Sequence, residues 1–184
     1  NFKKIQVMKH LMLLIALSLT LIVATTTTIV ITETRIQGTR RGANTVQCLV
    51  NGEVFLPKSE GINPAVDVIK SLITTVFFLL NFADLIGTGF KDVFLNTRSI
   101  SLTSGQTYQL NKNFDDDGDY VGGGGGHSLS LSNVYQTNSS IDGELTITRL
   151  DLSNSVISAT FWFDAINTEG DIVEIREGRF DYQY

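Results

Sequence analysis

Residues 143–184 read GELTITRLDLSNSVISATFWFDAINTEGDIVEIREGRFDYQY, and apolar and polar residues alternate along almost all of this stretch. Successive side chains of a β-strand point to opposite faces, so the alternation predicts strands that bury one face. Turn-forming residues at 151–154, 167–171 and 177–178 divide the stretch into four predicted strands. Loops this short favour an antiparallel meander.

The two faces of this predicted sheet differ in chemistry. Thr160, Trp162 and Asp164 share the polar face. Glu174 and Arg176 occupy outward positions further along the chain. Shifting a strand by one residue would exchange its faces, so a single buried face also specifies the register. The inward face is aliphatic and aromatic: Leu145, Ile147, Ile157, Ala159, Phe161, Phe163, Ala165, Val173, Ile175, Phe180, Tyr182 and Tyr184.

The rest of the chain adds further strand patterns. Asn51-Gly52 is a strong hairpin signal between residues 45–50 and 53–56. Other predicted strands cover residues 92–102, 107–110, 127–131 and 134–137. A total of about nine to eleven strands predicts an all-β fold, an antiparallel β-sandwich, with a closed, calycin-like β-barrel as the alternative.

Residues 66–82 are almost continuously apolar, and periodicity alone does not assign their structure. Val, Ile, Thr and Phe dominate the second half of this segment, which favours a buried strand over residues 73–82. A helix over residues 65–80 is the alternative.

The N-terminal segment has the pattern of an export signal. Lys3, Lys4 and Lys9 precede an apolar run over residues 11–24, and residues 1–31 contain no acidic residue. A charged segment followed by an apolar one is typical of a secretory signal peptide. If the apolar run continues to the end of this segment, it reaches the roughly 20 residues that span a bilayer, and the segment is then an uncleaved hydrophobic anchor helix.

This segment determines the predicted domain organisation and location. Residues 1–31 form the signal peptide or membrane anchor, 32–44 a flexible linker and 45–184 a single antiparallel β domain. Cleavage would place the exported domain in the periplasm or at the cell surface. An uncleaved segment would hold it at the inner membrane, facing outward, with the membrane contacted only through the N-terminal segment. Cys48, the sole cysteine, lies too far beyond the apolar run to carry a lipid.

The net charge argues against a nucleic-acid partner. The chain carries −5 at pH 7, and residues 1–31 hold three lysines and no acidic residue, so the remainder carries −8. An acidic surface repels phosphate backbones, which bind stripes of Lys and Arg. Arg35, Arg40 and Arg41 form a small basic cluster within the predicted linker, and no basic stripe accompanies it.

Four ordered segments of the chain carry a family resemblance: TVQCLVNGEVFLP (45–57), GELTITRLD (143–151), ISATFWFDA (157–165) and EIREGRFD (174–181). They resemble a family of secreted proteins and lipoproteins from Bacteroidota cell envelopes. Ala159 stands where that family has glycine. The family has no assigned activity, so the resemblance implies an envelope β-domain of unknown role and supplies no catalytic residues.

An acidic stretch precedes a run of glycines in the middle of the chain. Asp115, Asp117 and Asp119 alternate on a predicted short loop, and residues 122–126 are all glycine. Hard cations such as Ca²⁺ prefer several carboxylates on such a loop, which makes these aspartates candidate calcium ligands. No Glu closes the loop as in an EF-hand, so the other interpretation is a mobile, solvated hairpin loop that binds no cofactor.

Trp162 is a candidate ligand-binding residue because the alternation of strand residues places its indole on the polar face, between Thr160 and Asp164. An exposed aromatic ring flanked by hydrogen-bonding groups suits stacking on a sugar ring or anchoring a protein partner. The other interpretation is that a strand or loop covers the indole.

Catalytic chemistry has little support in the sequence, so we predict that the protein is not an enzyme. Cys48 shares strand parity with apolar residues and fits a core position. His127 follows the glycine run, a poor place for a preorganised base, and no His/Cys/Glu cluster offers zinc ligands. Asp164, Glu174 and Glu177 leave a carboxylate pair for glycoside hydrolysis as an alternative.

The predicted function is therefore a non-catalytic binding or structural module for an envelope protein or a glycan. A lipocalin-like carrier of a small apolar ligand is the first alternative, with Phe161, Phe163, Phe180 and Tyr182 as its lining. A hydrolase that uses the carboxylate pair is the second alternative.

Overall fold

Strands account for all the regular secondary structure that can be described in this chain. The structure is a computed structural model that describes residues 40–59, 65–71, 77–86, 90–115 and 118–184, with 67–71 as backbone only. Within these ranges no helix has the length and apolar character needed to cross a membrane. The predicted signal or anchor segment and the first part of the predicted linker, up to residue 39, lie outside them.

Eleven strands are present in the described ranges. They are β1 Thr45–Val50, β2 Glu53–Phe55, β3 Val66–Ser71, β4 Phe77–Asp84, β5 Lys91–Arg98, β6 Thr107–Gln109, β7 Gly122–Ser130, β8 Asn133–Gln136, β9 Gly143–Asp151, β10 Val156–Ile166 and β11 Ile172–Gln183.

All neighbouring strands pair antiparallel, in the order β2-β1-β11-β10-β8-β7-β5-β4-β3, while β9 pairs with β10 and β6 with β9. Strands β8 and β10 meet through one residue pair, Gln136 with Ile166. This junction divides the sheet into a first half (β2, β1, β11, β10, β9, β6) and a second half (β8, β7, β5, β4, β3). The predicted all-β antiparallel class is confirmed. The closed-barrel alternative is wrong, because among the described strands the order ends at β2 on one side and at β3 on the other, and these two strands do not pair with each other.

The two half-sheets bury their inward faces against each other. The ring of Phe78 on β4 stacks on that of Phe180 on β11, with centroids 5.8 Å apart. Phe82 meets Phe161 of β10 edge to face at 6.2 Å. Burying one such side chain stabilises the fold by about 1.5–3 kcal/mol. The predicted inward positions of the C-terminal block form much of this core, among them Leu145, Ile147, Ile157, Phe161, Phe163, Ile175 and Phe180.

Strand β11 contains a β-bulge where the sequence predicts a turn at residues 177–178. Phe161 faces Gly178 and Phe163 faces Ile175, so two residues of β11 lie opposite Trp162. The extra residue changes the parity of the strand, which is why its inward residues are odd-numbered before the bulge and even-numbered after it. The block therefore has three strands instead of the predicted four.

The run of glycines is a buried strand, and its interpretation as a mobile, solvated loop is wrong. All but the first of these glycines are buried in β7, which pairs with β5 and β8. A Cβ atom at Gly124 would overlap the carbonyl oxygen of Lys112, and one at Gly126 would overlap the ring of Phe94. Neighbouring groups occupy the space that side chains would need, so only glycine fits.

The apolar segment after residue 65 forms a β-hairpin, and the helix alternative is wrong for its described part. Strand β3 pairs with β4 from Val66 opposite Phe82 to Ser71 opposite Phe77. Phe78, Leu80 and Phe82 are buried while the residues between them are partly exposed, the alternation of a strand. The predicted strand over 73–82 is thus found at 77–84; its first four positions lie outside the described residues.

A buried carboxylate holds the chain just before β1. Asp181 is 2% exposed, and its oxygens accept hydrogen bonds from the backbone N–H groups of Arg41 (2.9 Å), Gly42 (2.9 Å) and Ala43 (3.2 Å). The hydroxyl of Ser158 donates a further bond at 2.6 Å. Gly42 has a φ of 74°, and this left-handed residue turns successive N–H groups toward one anion. The last residues of the predicted linker are therefore fastened to β10 and β11.

Candidate functional site

The indole of Trp162 lies on the outward face of the first half-sheet and is held from two sides. We call Trp162, Glu144, Arg176, Asp164 and Thr160 the Trp162 platform. The side chain of Trp162 is 39% exposed, and its Nε1–H donates to Glu144 Oε2 at 3.3 Å. The guanidinium carbon of Arg176 lies 5.6 Å from the ring centroid, within the range of a cation–π contact. These two contacts fix the ring while part of it stays open to solvent.

Arg176 is itself fixed by backbone and carboxylate groups. Its Nη1 donates to the carbonyl oxygens of Phe163 and Ile175, both at 3.0 Å, and its Nη2 lies 2.6 Å from Asp164 Oδ1 and 3.8 Å from Glu174 Oε1. The structure thus brings together Asp164 and Glu174, two of the three acids that the sequence offered for a hydrolytic pair, and it places an arginine against both. Glu177, the third candidate acid, lies in the β-bulge.

Hydroxyl and amide groups continue the outward face beside the indole. Thr160 on β10 lies opposite Thr146 on β9, and the hydroxyls of Thr146 and Thr107 are 2.8 Å apart. Gln109 donates through Nε2 to Glu144 Oε1 at 3.3 Å. The surface next to Trp162 is therefore polar and able both to donate and to accept hydrogen bonds.

A cleft that the sequence did not reveal opens where the half-sheets separate. We call it the β8–β10 cleft; its volume is about 350 Å³. Beyond the pair of Gln136 with Ile166, the chain turns away at Asn167 and Thr168 instead of continuing beside β8. Side-chain amides and one carboxylate dominate its polar lining: Asn113, Gln136, Asn138, Asn167 and Asp115.

Gln136 organises the polar side of this cleft. It is 8% exposed, its Nε2 donates to Asp115 Oδ2 at 2.5 Å, and its Oε1 accepts from the N–H of Phe114 at 2.9 Å. Asn138 Oδ1 accepts from the N–H groups of Ser140 and Ile141 at 2.8 and 3.0 Å. Such bonds fix the positions of the amides before any ligand arrives.

The candidate calcium ligands have separate partners in the structure. Asp115 bonds to Gln136, Asp119 forms an ion pair with Arg98 at 2.9 Å, and Asp117 lies outside the described residues. In the described part of the chain no group of three or more His, Cys, Asp or Glu side chains is placed to hold a metal ion. Calcium binding by the whole loop stays a prediction.

The cysteine and the histidine that could act as a nucleophile and a base, Cys48 and His127, are buried in the core. Cys48 is buried, and burial raises the pKa of its thiol. His127 is 2% exposed between the rings of Phe55 and Tyr135. Its Nδ1 lies 2.6 Å from the carbonyl oxygen of Asp92, to which it donates. Burial lowers the pKa of His127, and the bond to Asp92 opposes this only in part. The inward aromatics Phe161, Phe163 and Phe180 are likewise buried.

The buried imidazole predicts acid sensitivity of the fold. The pKa of His127 is lower in the folded than in the unfolded chain, so protons bind preferentially to the unfolded state below about pH 6.5. Stability present above that pH should fall as the pH drops toward the folded pKa, by up to about 1.4 kcal/mol per pH unit. Urea unfolding at about pH 7.5 and about pH 5 measures this loss.

His127→Gln is the matched variant for this prediction, because glutamine can still donate to Asp92 but does not titrate. Its stability should depend less on pH than that of the parent chain. An equal loss of stability in both proteins between the two pH values would show that His127 is not the responsible group.

Fold and surface together define an all-β protein whose antiparallel sheet folds over a shared core and carries an aromatic, polar platform outside. The chain belongs to the family described as Domain of unknown function (DUF6252), which matches residues 87–182. This range contains the platform, the β8–β10 cleft and all three C-terminal segments that carry the resemblance; the segment at 45–57 precedes it. No curated protein and no solved structure matches the chain.

Proposed function

We propose that the domain is a non-catalytic binding module that recognises a neutral glycan through the Trp162 platform. The observation that carries the proposal is an exposed indole, held by Glu144 and Arg176, in the middle of a polar sheet face. The C–H face of a sugar ring packs on an aromatic ring, and the hydroxyls around it bond to neighbouring polar groups.

The fixed geometry of the platform supports this role. Trp162 and Arg176 are both held by contacts within the domain, so little side-chain freedom is lost when a ligand binds. The row formed by Thr107, Thr146 and Thr160 crosses three strands beside the indole and offers hydroxyls along the sheet. A polar strip with one aromatic centre suits an extended chain of sugars.

We also propose that the module works outside the cytoplasm, in a bacterial cell envelope. The lysines before the apolar run at residues 11–24 and the resemblance to Bacteroidota envelope proteins support this location. The face-to-face packing of the two half-sheets supports classification of the fold as a β-sandwich.

Trp162 is the only tryptophan in the chain, so its fluorescence reports on the platform alone. Titration with neutral hexasaccharides of glucose, xylose, mannose and N-acetylglucosamine should change the emission in a saturable way. Calorimetry should show that Trp162→Ala weakens the same binding by about tenfold or more, which corresponds to about 1.4 kcal/mol.

Leu152→Ala is the matched control for this experiment. Leu152 is 61% exposed and lies at the opposite end of β10 from the cleft, in the turn after β9. The Leu152→Ala variant should bind the glycans with the same affinity as the parent chain. A panel in which every glycan leaves the emission unchanged, or unchanged binding by Trp162→Ala, would refute the glycan proposal. If no glycan changes the emission but the parent chain captures an envelope protein that Trp162→Ala does not, the platform binds a protein partner. Trp and Arg are also prominent in protein interfaces.

A further inference from the structure

We infer that the β8–β10 cleft is a second subsite that takes the terminal sugar ring, or terminal disaccharide, of a neutral glycan. The inference deepens the proposed function and rests on it. The volume of about 350 Å³ lies at the small end of the range of ligand pockets, about 300–1,000 Å³. A mono- or disaccharide fits that space, whereas a longer chain would have to leave it along the surface.

The lining chemistry selects a neutral, hydroxyl-rich ligand. Amide side chains present donors and acceptors together, as sugar hydroxyls do. Among the described residues, the lining contains no Lys, Arg or His, and Asp115 adds a negative charge, so anionic ligands are disfavoured. A hard cation would need several carboxylates, and Asp115 is the one carboxylate that the described part of the chain contributes to the lining.

Apolar groups complete the match to a saccharide. Leu131, Val134 and Ile166 lie in the lining among the amides. Leu131 is 94% exposed at the tip of the hairpin between β7 and β8, which leaves its side chain available to a ligand. The C–H groups of a sugar ring would pack on these side chains while its hydroxyls bond to the amides.

The cleft and the platform lie on one face of β10. Trp162, Asp164 and Ile166 alternate with the buried Phe163 and Ala165, so their side chains point to the same side. Ile166 of the cleft lies four positions after Trp162, or about 13 Å at the rise of a β-strand. A short oligosaccharide spans that distance, so one glycan chain can end in the cleft and continue over Trp162.

Nuclear magnetic resonance of the labelled chain tests the cleft directly. Free glucose, galactose, mannose and N-acetylglucosamine would be added separately, each up to about 50 mM, well above the millimolar affinities of weak ligands. At least one sugar should shift the side-chain amide signals of Asn113, Gln136, Asn138 and Asn167. No shift at these signals with any of the four sugars overturns the inference.

A filling variant shows whether the shifts come from the cleft. Thr168→Trp would place an indole in the cleft and should reduce the monosaccharide affinity by about tenfold or more. Leu152→Trp adds the same side chain at the far end of β10 and should leave the affinity unchanged. Equal affinities in the two variants would contradict the inference.

The indole N–H signal of Trp162 separates the two proposals. If hexasaccharides move this signal while monosaccharides leave the cleft signals unchanged, the proposal for the platform is supported and the inference about the cleft is contradicted. If the cleft signals respond while the indole signal stays still with every sugar, the platform fails and the cleft is the glycan site. Shifts at both sites, with Trp162→Ala retaining monosaccharide binding, support both proposals.

Discussion

Gly124→Ala should strongly destabilise the domain. The new Cβ would overlap the carbonyl oxygen of Lys112. That oxygen accepts from the hydroxyl of Thr137 at 2.7 Å, and the N–H of Gly125 donates to the same hydroxyl at 3.0 Å. Relief of the overlap would break this network inside the sheet. We expect a loss of about 3 kcal/mol or more in the free energy of unfolding, measured by urea titration with circular dichroism.

Gly105→Ala is the comparison for this effect. No atom lies within 4 Å of a Cβ built at Gly105, so its substitution costs only the strain of a left-handed residue, whose φ is 83°. That strain is about 1–2 kcal/mol. If Gly124→Ala proved no more destabilising than Gly105→Ala, close packing against β7 would not be the reason for the glycine run.

Asp181→Ala should have a comparable effect for an electrostatic reason. Three partly buried backbone N–H groups and the buried Ser158 hydroxyl would lose their charged acceptor. Hydrogen bonds to a charged group contribute about 1.5–3 kcal/mol, so we expect the free energy of unfolding to fall by about 3 kcal/mol. Chemical denaturation should show this loss, and amide hydrogen exchange at Arg41, Gly42 and Ala43 should accelerate more than in the sheet.

Two further variants distinguish the charge from a general effect of substitution. Asp181→Asn keeps the shape but offers a donor where an acceptor is needed, so its stability should fall between the parent and Asp181→Ala. Asp119→Ala removes a fully exposed carboxylate and should change stability little. Equal stability of Asp181→Ala and Asp119→Ala would rule out the anchoring role of Asp181.

The sequence predicted the parts of the fold in which side chains alternate in polarity. Phe161 and Phe163 were placed inside and Trp162 outside because each strand residue points away from its neighbours. The glycine strand was missed because glycine has no side chain to alternate, and its fit depends on Phe94 and Lys112, which are distant in sequence.

The candidate site was predictable only in part, for a related reason. The alternation of residues along one strand predicted that the indole of Trp162 faces outward. Its hydrogen bond to Glu144, however, depends on how two strands pair. The β8–β10 cleft depends on where the half-sheets diverge, and no local pattern around Gln136 or Asn167 encodes that. Backbone donors such as those that bind Asp181 carry no residue identity, so composition cannot reveal them.

The bulge in β11 has a consequence for how relatives of this chain can vary in length. Deleting one residue between Ile175 and Gly178 would remove the extra position and leave a regularly alternating strand in which Phe180 still faces the core. Deleting Arg179 instead, where no extra position exists, would turn the far end of β11 over, so that Phe180 would point to solvent and Asp181 into the core. A relative can therefore lose one residue at the bulge and keep the same pattern of apolar and polar residues in its last strand, whereas the loss of one residue beyond the bulge requires that pattern to be exchanged.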